Sequence, residues 1–136
     1  MKLTKKIMAM ILSLMTLISV GTITTISAQA DVKTVNLTKN DTYKTSGYVK
    51  SRKAYMKGTN SKNSSHYVMF QAQYRANSNN SYSNDECVNV KPGGVLASTG
   101  TYTFASSVQW RLYLNPTLYY KNCTASGYIS TNSNYS

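Results

Sequence analysis

The chain contains few of the residues that most enzymes use for proton transfer. Its 136 residues include one histidine, His66, and four carboxylates, Asp31, Asp41, Asp85 and Glu86. General acid–base catalysis needs a titratable group with oriented partners, which a single histidine at the start of a predicted strand does not supply. Asp85 and Glu86 are adjacent, so on a strand they point to opposite faces and cannot form a glycosidase pair. We therefore predict that the protein is not an enzyme.

Motifs for metals and phosphate groups are also missing. No spacing of His, Cys, Asp and Glu matches a zinc or calcium site, and there is no G-x-S-x-G nucleophile turn. Gly93-Gly94 is not followed by the Lys-Ser/Thr and helix start of a phosphate-binding loop. We predict no catalytic residue, no cofactor and no metal. The enzymatic alternative is a small extracellular hydrolase with His66 as its base.

Acidic residues are absent from the first thirty positions, which have three zones. The first is a basic region with Lys2, Lys5 and Lys6, and the second is an apolar run at residues 7–20. The third has small residues at the predicted cleavage site, Ala28-Gln29-Ala30. This order is typical of a secretory signal peptide, here cleaved after Ala30, whose positive head stays in the cytoplasm. The alternative is an uncleaved anchor that runs to Ile26, since about 20 predominantly apolar residues span a membrane. Thr, Ser and Gly residues lower the hydrophobicity of that segment, which disfavours the anchor.

The chain therefore divides into a signal peptide at residues 1–30 and a secreted domain at residues 31–136. No later segment is apolar enough to span a membrane, so we expect the domain to be extracellular, or tethered if the first segment is not cut. A length of 106 residues indicates one domain with a modest core. The Asn/Ser-rich residues 131–136 are predicted to form a loose tail.

There are two cysteines, Cys87 and Cys123. In an oxidising compartment such a pair is most simply a disulfide. The bridge would close a loop of 36 positions, from 87 to 123, and would stabilise the fold by roughly 4 kcal/mol in the chain-entropy model. The alternative is a reactive thiol, which Asp85 and Glu86 disfavour because negative neighbours raise the pKa of Cys87.

Strand signals recur after residue 30, whereas helical periodicity is hard to find. The alternation of apolar and polar residues that is typical of a strand is clearest at residues 66–75 and 107–114. The predicted inward residues are Val68, Phe70, Ala72 and Tyr74 on the first strand, and Val108, Trp110, Leu112 and Leu114 on the second. Further strands are predicted at 32–37, 43–56 with a bulge or kink at Gly47, 87–90, 100–105, 117–121 and 125–130. Asn/Ser-rich residues 77–84 are predicted to form a loop, and residues 91–94 a turn.

About seven or eight short strands separated by turn signals predict an all-β fold. Because each strand has one apolar face, we expect a small antiparallel β-sandwich. A small β-barrel with a similar number of strands is the alternative architecture.

Positive charge dominates the predicted domain. Without the three lysines of the head, twelve of the fifteen basic residues remain against four carboxylates, a net charge of +8. The excess is concentrated between residues 33 and 62, and gives a candidate face for anionic ligands: Lys44, Lys50, Arg52, Lys53, Lys57 and Lys62. Expected partners are an anionic cell-wall polymer, a membrane surface or an acidic protein, and no intracellular nucleic acid. The alternative is that the charge simply maintains solubility.

Tyrosine outnumbers phenylalanine by twelve to two. A tyrosine combines an apolar ring with a hydroxyl group and suits binding surfaces and stacking on sugars. A candidate aromatic surface patch comprises Arg111, Tyr113, Tyr119 and Tyr120. The alternative is that these tyrosines occupy half-buried strand positions, where they are common.

The chain resembles the lactococcin 972-like secreted bacteriocins in size, export and composition. The likeness is a signal peptide followed by a Tyr/Ser/Asn-rich basic β-domain ending near Tyr119-Tyr120, and it concerns the C-terminal half. The family's Trp-rich start and paired histidines have no counterpart here, so no residue role is transferred. The resemblance implies a secreted antagonist. Our main prediction is a non-catalytic binding or structural module that contacts anionic cell-envelope or extracellular polymers.

Overall fold

The computed structural model describes residues 29–135, which form nine strands and no α-helix. Most of the predicted signal peptide, including Ala28 of the cleavage site, lies outside the described residues. The strands are β1 (Val32–Leu37), β2 (Lys44–Thr45), β3 (Val49–Ser51), β4 (Tyr55–Asn60), β5 (Val68–Arg75), β6 (Ser83–Val90), β7 (Val95–Gly100), β8 (Val108–Pro116) and β9 (Ala125–Ser130). Every strand of the described residues therefore lies within residues 32–130.

The strands form two antiparallel sheets. One has four strands in the order β1-β9-β4-β7, and the other has five, in the order β2-β8-β5-β6 with β3 also paired to β8. The predicted antiparallel β-sandwich is confirmed. Within residues 29–135 neither sheet closes on itself, so the barrel alternative is wrong.

The five-stranded sheet supplies the largest core side chains. On β5 and β8 the residues predicted to face inward do so: Val68, Phe70, Ala72, Trp110, Leu112 and Leu114 are fully buried, Val108 is buried, and Tyr74 packs at the margin of the core. The register joins Ala72 to Leu112 and Phe70 to Leu114, which places these side chains on one face. The indole Nε1 of Trp110 donates to the carbonyl of Ser51 at 3.1 Å, so its polar atom is satisfied.

The four-stranded sheet has two glycines that face this layer. Gly58 on β4 and Gly127 on β9 are directly paired. A Cβ atom on Gly58 would lie 2.4 Å from Cε1 of Phe70, and one on Gly127 would lie 2.9 Å from the same atom. The missing side chains therefore make room for the Phe70 ring between the sheets.

The segment predicted as one strand at 43–56 is divided among β2, β3 and the start of β4. The interruption predicted at Gly47 is confirmed, because residues 46–48 leave the ladder. The amide of Leu112 donates to Oγ of Ser46 at 2.9 Å, and the amide of Ser46 donates to the carbonyl of Leu112 at 2.9 Å. A side chain therefore replaces one backbone partner at the break.

Two other predicted strands are absent from the structure. Residues 101–107 are irregular, although the amide of Phe104 donates to the carbonyl of Arg52 at 2.8 Å and its ring packs against Trp110. Residues 117–121 form a turn in which Leu118 and Tyr119 have positive φ values of 56° and 60°. By contrast, the turn predicted at residues 91–94 is confirmed: the amide of Gly94 donates to the carbonyl of Lys91 at 2.8 Å, and Gly93 has a φ of 74°, as a type II turn requires.

The C-terminal residues 131–135 lie against the fold. The amide of Thr131 donates to the carbonyl of Asp31 at 3.1 Å, and the amide of Asp31 donates to Oγ1 of Thr131 at 3.1 Å. Oγ of Ser98 on β7 donates to the carbonyl of Ser133 at 3.1 Å. The segment predicted as a loose tail is thus hydrogen-bonded to the four-stranded sheet and to the residue before β1.

Candidate functional site

Polar and aromatic side chains cover the outer face of the five-stranded sheet. The register pairs Gln71 with Tyr113, Gln73 with Arg111 and Arg75 with Gln109 across β5 and β8. These residues alternate with the buried ones, so all six point outward. We call the outward set that contains the charged and aromatic groups the tyrosine–arginine face: Tyr43, Arg75, Tyr82, Arg111, Tyr113 and Tyr119.

Two arginines contact the ring of one tyrosine in this face. The guanidinium carbon of Arg111 lies 3.7 Å from the ring centroid of Tyr82, and that of Arg75 lies 4.5 Å from it. Nε of Arg111 donates to Oε1 of Gln73 at 2.8 Å, and Nε of Arg75 donates to Oε1 of Gln109 at 2.8 Å. Cation–π contact and neutral amide acceptors therefore fix both guanidinium planes.

The charge of the two arginines is not compensated by a carboxylate in the part of the chain that the structure describes. The ion pairs there are Lys33 with Asp31 at 3.3 Å and Lys44 with Asp41 at 3.8 Å. Burial, and to a smaller extent the charge of Arg75, lower the pKa of Arg111, while Tyr82 acts in the opposite direction. An anion in contact with both arginines would offset their mutual repulsion.

Tyrosines extend the face towards β2. The ring of Tyr43 stacks on Tyr113 with centroids 5.7 Å apart and an interplanar angle of 26°. Burial and the neighbouring Tyr119 hydroxyl raise the pKa of Tyr113 to about 12. Tyr43 and Tyr119 are 55% and 57% exposed, so their rings are accessible to a ligand.

Three of the four residues in the predicted aromatic patch belong to this face: Arg111, Tyr113 and Tyr119. Tyr120 instead stacks on His66, with ring centroids 4.8 Å apart. Sequence reasoning missed Tyr82, because it lies in the Asn/Ser-rich segment predicted as a loop and shows no strand periodicity.

The six basic residues predicted as one face are distributed over both sheets. Lys50 is opposite Gln109 on the five-stranded sheet, whereas Lys57 is opposite Tyr128 on the four-stranded sheet, and each points outward. The others lie at the edges or in connections: Lys44 at the end of β2 beside Asp41, Arg52 and Lys53 between β3 and β4, and Lys62 between β4 and β5. The chain crosses from one sheet to the other between residues 51 and 55, which separates charges that are close in sequence.

The two cysteines are both free in the structure, so the predicted Cys87–Cys123 disulfide is not formed. Cys87 is exposed and opposite Gln71, on the outer face of β6. Cys123 is buried, and its Sγ donates to the carbonyl of His66 at 3.6 Å. Cys123 thus lies beside His66 and Cys87 beside Gln71, and these two positions are five residues apart along an extended segment, a span of about 16 Å. The Cα atoms of a disulfide lie within about 7 Å of each other. Burial and the charge of Glu86 raise the pKa of Cys87.

A cleft of about 280 Å³ lies on the other sheet, lined by Leu37 and Ala125 and by polar side chains that include Thr38, Thr59 and Ser126. No charged residue lines it, so an anionic partner has no counter-charge there. Residues 29–135 bring together no cluster of three metal-binding side chains. Nor does that range contain a helix with the length and hydrophobicity to cross a membrane.

Comparison with known protein families and with curated proteins found no match. The tyrosine–arginine face is the feature of the described residues that combines oriented cations with accessible aromatic rings.

Proposed function

We propose that the protein is a secreted, non-catalytic binding module that contacts anionic polymers of the cell envelope or the extracellular space through its tyrosine–arginine face. One observation carries this proposal: Arg75 and Arg111 are oriented by neutral glutamines and have no carboxylate partner within residues 29–135.

The chemistry of the guanidinium group supports an oxyanion as the ligand. Arginine presents a planar set of N–H donors that matches phosphate and carboxylate groups in a bidentate manner. Nε of each arginine is already bonded to a glutamine, so the side chains lose less conformational freedom on binding.

The tyrosines suit the remainder of such a polymer. The exposed rings of Tyr43 and Tyr119 offer apolar surfaces for sugar or polyol units, and their hydroxyl groups offer hydrogen bonds. Lys50 lies next to Gln109 on the same outer face and adds positive charge. The net positive charge of the domain increases the rate of encounter with a polyanion, most strongly at low salt.

Binding is tested by cosedimentation of residues 31–136 with purified cell walls that carry a phosphodiester polymer, before and after chemical removal of that polymer. Charge-assisted hydrogen bonds contribute about 1.5–3 kcal/mol each, or roughly tenfold or more in affinity. We therefore expect the Arg75→Gln/Arg111→Gln double variant to bind about 100-fold more weakly. The matched control is Lys53→Gln/Lys57→Gln, which removes the same charge away from the face and should change affinity by no more than a few fold.

The variant Arg75→Lys/Arg111→Lys keeps the charge but loses the planar donor set, so we expect intermediate binding. Equal losses in the arginine variant and its matched control would show that net charge alone is responsible and would refute the proposed site. Secretion is tested separately by the mass of the protein in the culture medium, which reports cleavage after Ala30. An intact chain confined to the cytosol would contradict export.

A further inference from the structure

Four connections meet at one end of the sandwich. They follow β1, β4, β6 and β8 and comprise residues 38–43, 61–67, 91–94 and 117–124. The register confirms the shared end, since Ala125 at the start of β9 pairs with both Leu37 and Asn60, the last residues of β1 and β4. We call this surface the four-loop end.

Backbone hydrogen bonds join these connections into one surface. The amide of Asn122 donates to the carbonyl of Lys39 at 2.8 Å, and the amide of Ser65 donates to the carbonyl of Asn122 at 3.0 Å. The amide of Ser61 donates to the carbonyl of Thr124 at 2.8 Å. Side chains on different connections therefore keep fixed relative positions.

Each connection at the four-loop end contributes one exposed lysine: Lys39, Lys62, Lys91 and Lys121. The carboxylate within the four connections is Asp41, which accepts from the amide of Thr38 at 2.9 Å and pairs with Lys44. A hydrogen bond from the Thr38 hydroxyl at 2.7 Å, together with the Thr38 amide and the charge of Lys44, lowers the pKa of Asp41. Within the described residues, the four lysines consequently give the four-loop end an uncompensated positive charge.

An apolar side chain projects from the same end. Leu118 is 73% exposed, and Tyr67 and Tyr120 are each 52% exposed. Leu118 and Tyr119 occupy the two left-handed positions of a turn that is closed by the amide of Tyr120, which donates to the carbonyl of Thr117 at 3.3 Å. This is the geometry of a type I′ turn, in which Gly, Asn and Asp predominate. A leucine there is conformationally costly and is held away from the core.

We propose that the four-loop end docks on an anionic lipid bilayer. Leu118 enters the interfacial region, the tyrosine rings lie at the level of the headgroups, and the four lysines contact lipid phosphates. Tyrosine is enriched at membrane interfaces, and basic residues near an anionic surface bind it additively. A soluble polyanion would use the lysines but would gain nothing from Leu118, which is why the combination indicates a bilayer.

This docking surface is distinct from the site proposed for polymers, although the two share Tyr43 and Tyr119. The variants used below leave Arg75 and Arg111 intact. Failure of one proposal therefore does not imply failure of the other.

The experiment measures cosedimentation of residues 31–136 with vesicles of phosphatidylglycerol and phosphatidylcholine, and with vesicles of phosphatidylcholine alone. We expect binding to the anionic vesicles and little to the neutral ones. Lys39→Gln/Lys121→Gln should weaken binding roughly 25-fold, at about fivefold per lysine. Lys53→Gln/Lys57→Gln removes the same charge elsewhere and should weaken it no more than a few fold. Leu118→Asn should weaken it at least about fivefold, because Asn suits the left-handed position but does not enter an apolar phase.

A second measurement locates the contact. In a Cys87→Ser background, an environment-sensitive dye is attached at Leu118→Cys or, as a control, at Ser106→Cys, an exposed position between β7 and β8 at the opposite end of the sandwich. The dye at position 118 should shift to the blue with anionic vesicles, and the dye at position 106 should not. The proposal fails if Leu118→Asn binds like the wild type, if both charge-matched doubles weaken binding equally, or if neither dye shifts.

Discussion

At Gly58 the two sheets leave no room for a side chain, and this makes Gly58→Ala a sharp test of the packing. The added Cβ would lie 2.4 Å from Cε1 of Phe70, 2.5 Å from the carbonyl oxygen of Ser126 and 2.9 Å from Cα of Gly127. Favourable carbon–carbon contacts are about 3.5–4.0 Å. Phe70 is fully buried, and the other two atoms belong to the backbone of the paired strand β9. A change of rotamer therefore cannot relieve the overlap.

Overpacking of a core costs about 1–3 kcal/mol and occasionally more. Because two of the three clashing atoms are backbone, we expect a loss near the upper limit, roughly 3 kcal/mol. That is a large fraction of the 5–15 kcal/mol that stabilises a typical domain. For a domain of about 100 residues it corresponds to a fall in the melting temperature of roughly 12–24 °C.

The assay is urea unfolding followed by the fluorescence of Trp110, the single tryptophan of the chain. Gly47→Ala is the control, because its Cβ would meet the flexible Lys33 side chain at 3.4 Å, an ordinary contact. Its effect should be within about 0.5 kcal/mol. Combining Gly58→Ala with Phe70→Leu should cost at least about 1 kcal/mol less than the sum of the single changes. A Gly58→Ala protein as stable as the wild type would show that the sheets do not approach in this way.

Three further predictions use simple measurements. Leu118→Asn should raise the free energy of unfolding by about 1 kcal/mol in the same assay, because it removes left-handed strain; a loss would mean that packing of Leu118 outweighs the strain. Cys87 should react with a thiol reagent in the native protein, and Cys123 after unfolding in denaturant; the absence of both thiols would establish the disulfide. Tyr113 has a folded pKa of about 12, above its ordinary value of about 10. Its contribution to stability is therefore complete below pH about 10 and is lost as the pH rises to about 12, so Tyr113→Phe should flatten that part of the profile of stability against pH.

The sequence was sufficient to predict β5 and β8, which supply the largest core side chains, but not β7, which contributes Leu96 to the core. On β5 and β8 the inward residues recur with a period of two, and burial in a sandwich imposes that period directly. Two shorter strands, β1 and β9, also match their predicted limits. Polar and apolar side chains separate cleanly at these positions, so single-sequence patterns are informative there.

The alternation of apolar and polar residues wrongly predicted a strand where the aromatic side chain is held by contacts other than strand pairing. Tyr102 and Phe104 alternate with polar residues, yet Phe104 is held by ring contacts with Trp110 and Tyr74 rather than by a ladder. The tyrosine–arginine face depends on the register of β5 against β8 and on a loop residue, Tyr82. Cross-strand register is a property of the whole sheet, so residues far apart in sequence could not be assigned to one face.

The hydrogen bonds between Asp31 and Thr131 hold the residue before β1 against the residue after β9. Both residues lie at the end of the sandwich opposite the four-loop end. The six residues of β1 span about 20 Å, from that end of the sandwich to the four-loop end. In a protein still held in a bilayer by its first residues, the Leu118 turn would point away from that bilayer. A released protein is free to turn over and present the lysines to a membrane. Proteolytic release would thus change the orientation that the domain can adopt at a membrane, in addition to allowing it to diffuse away.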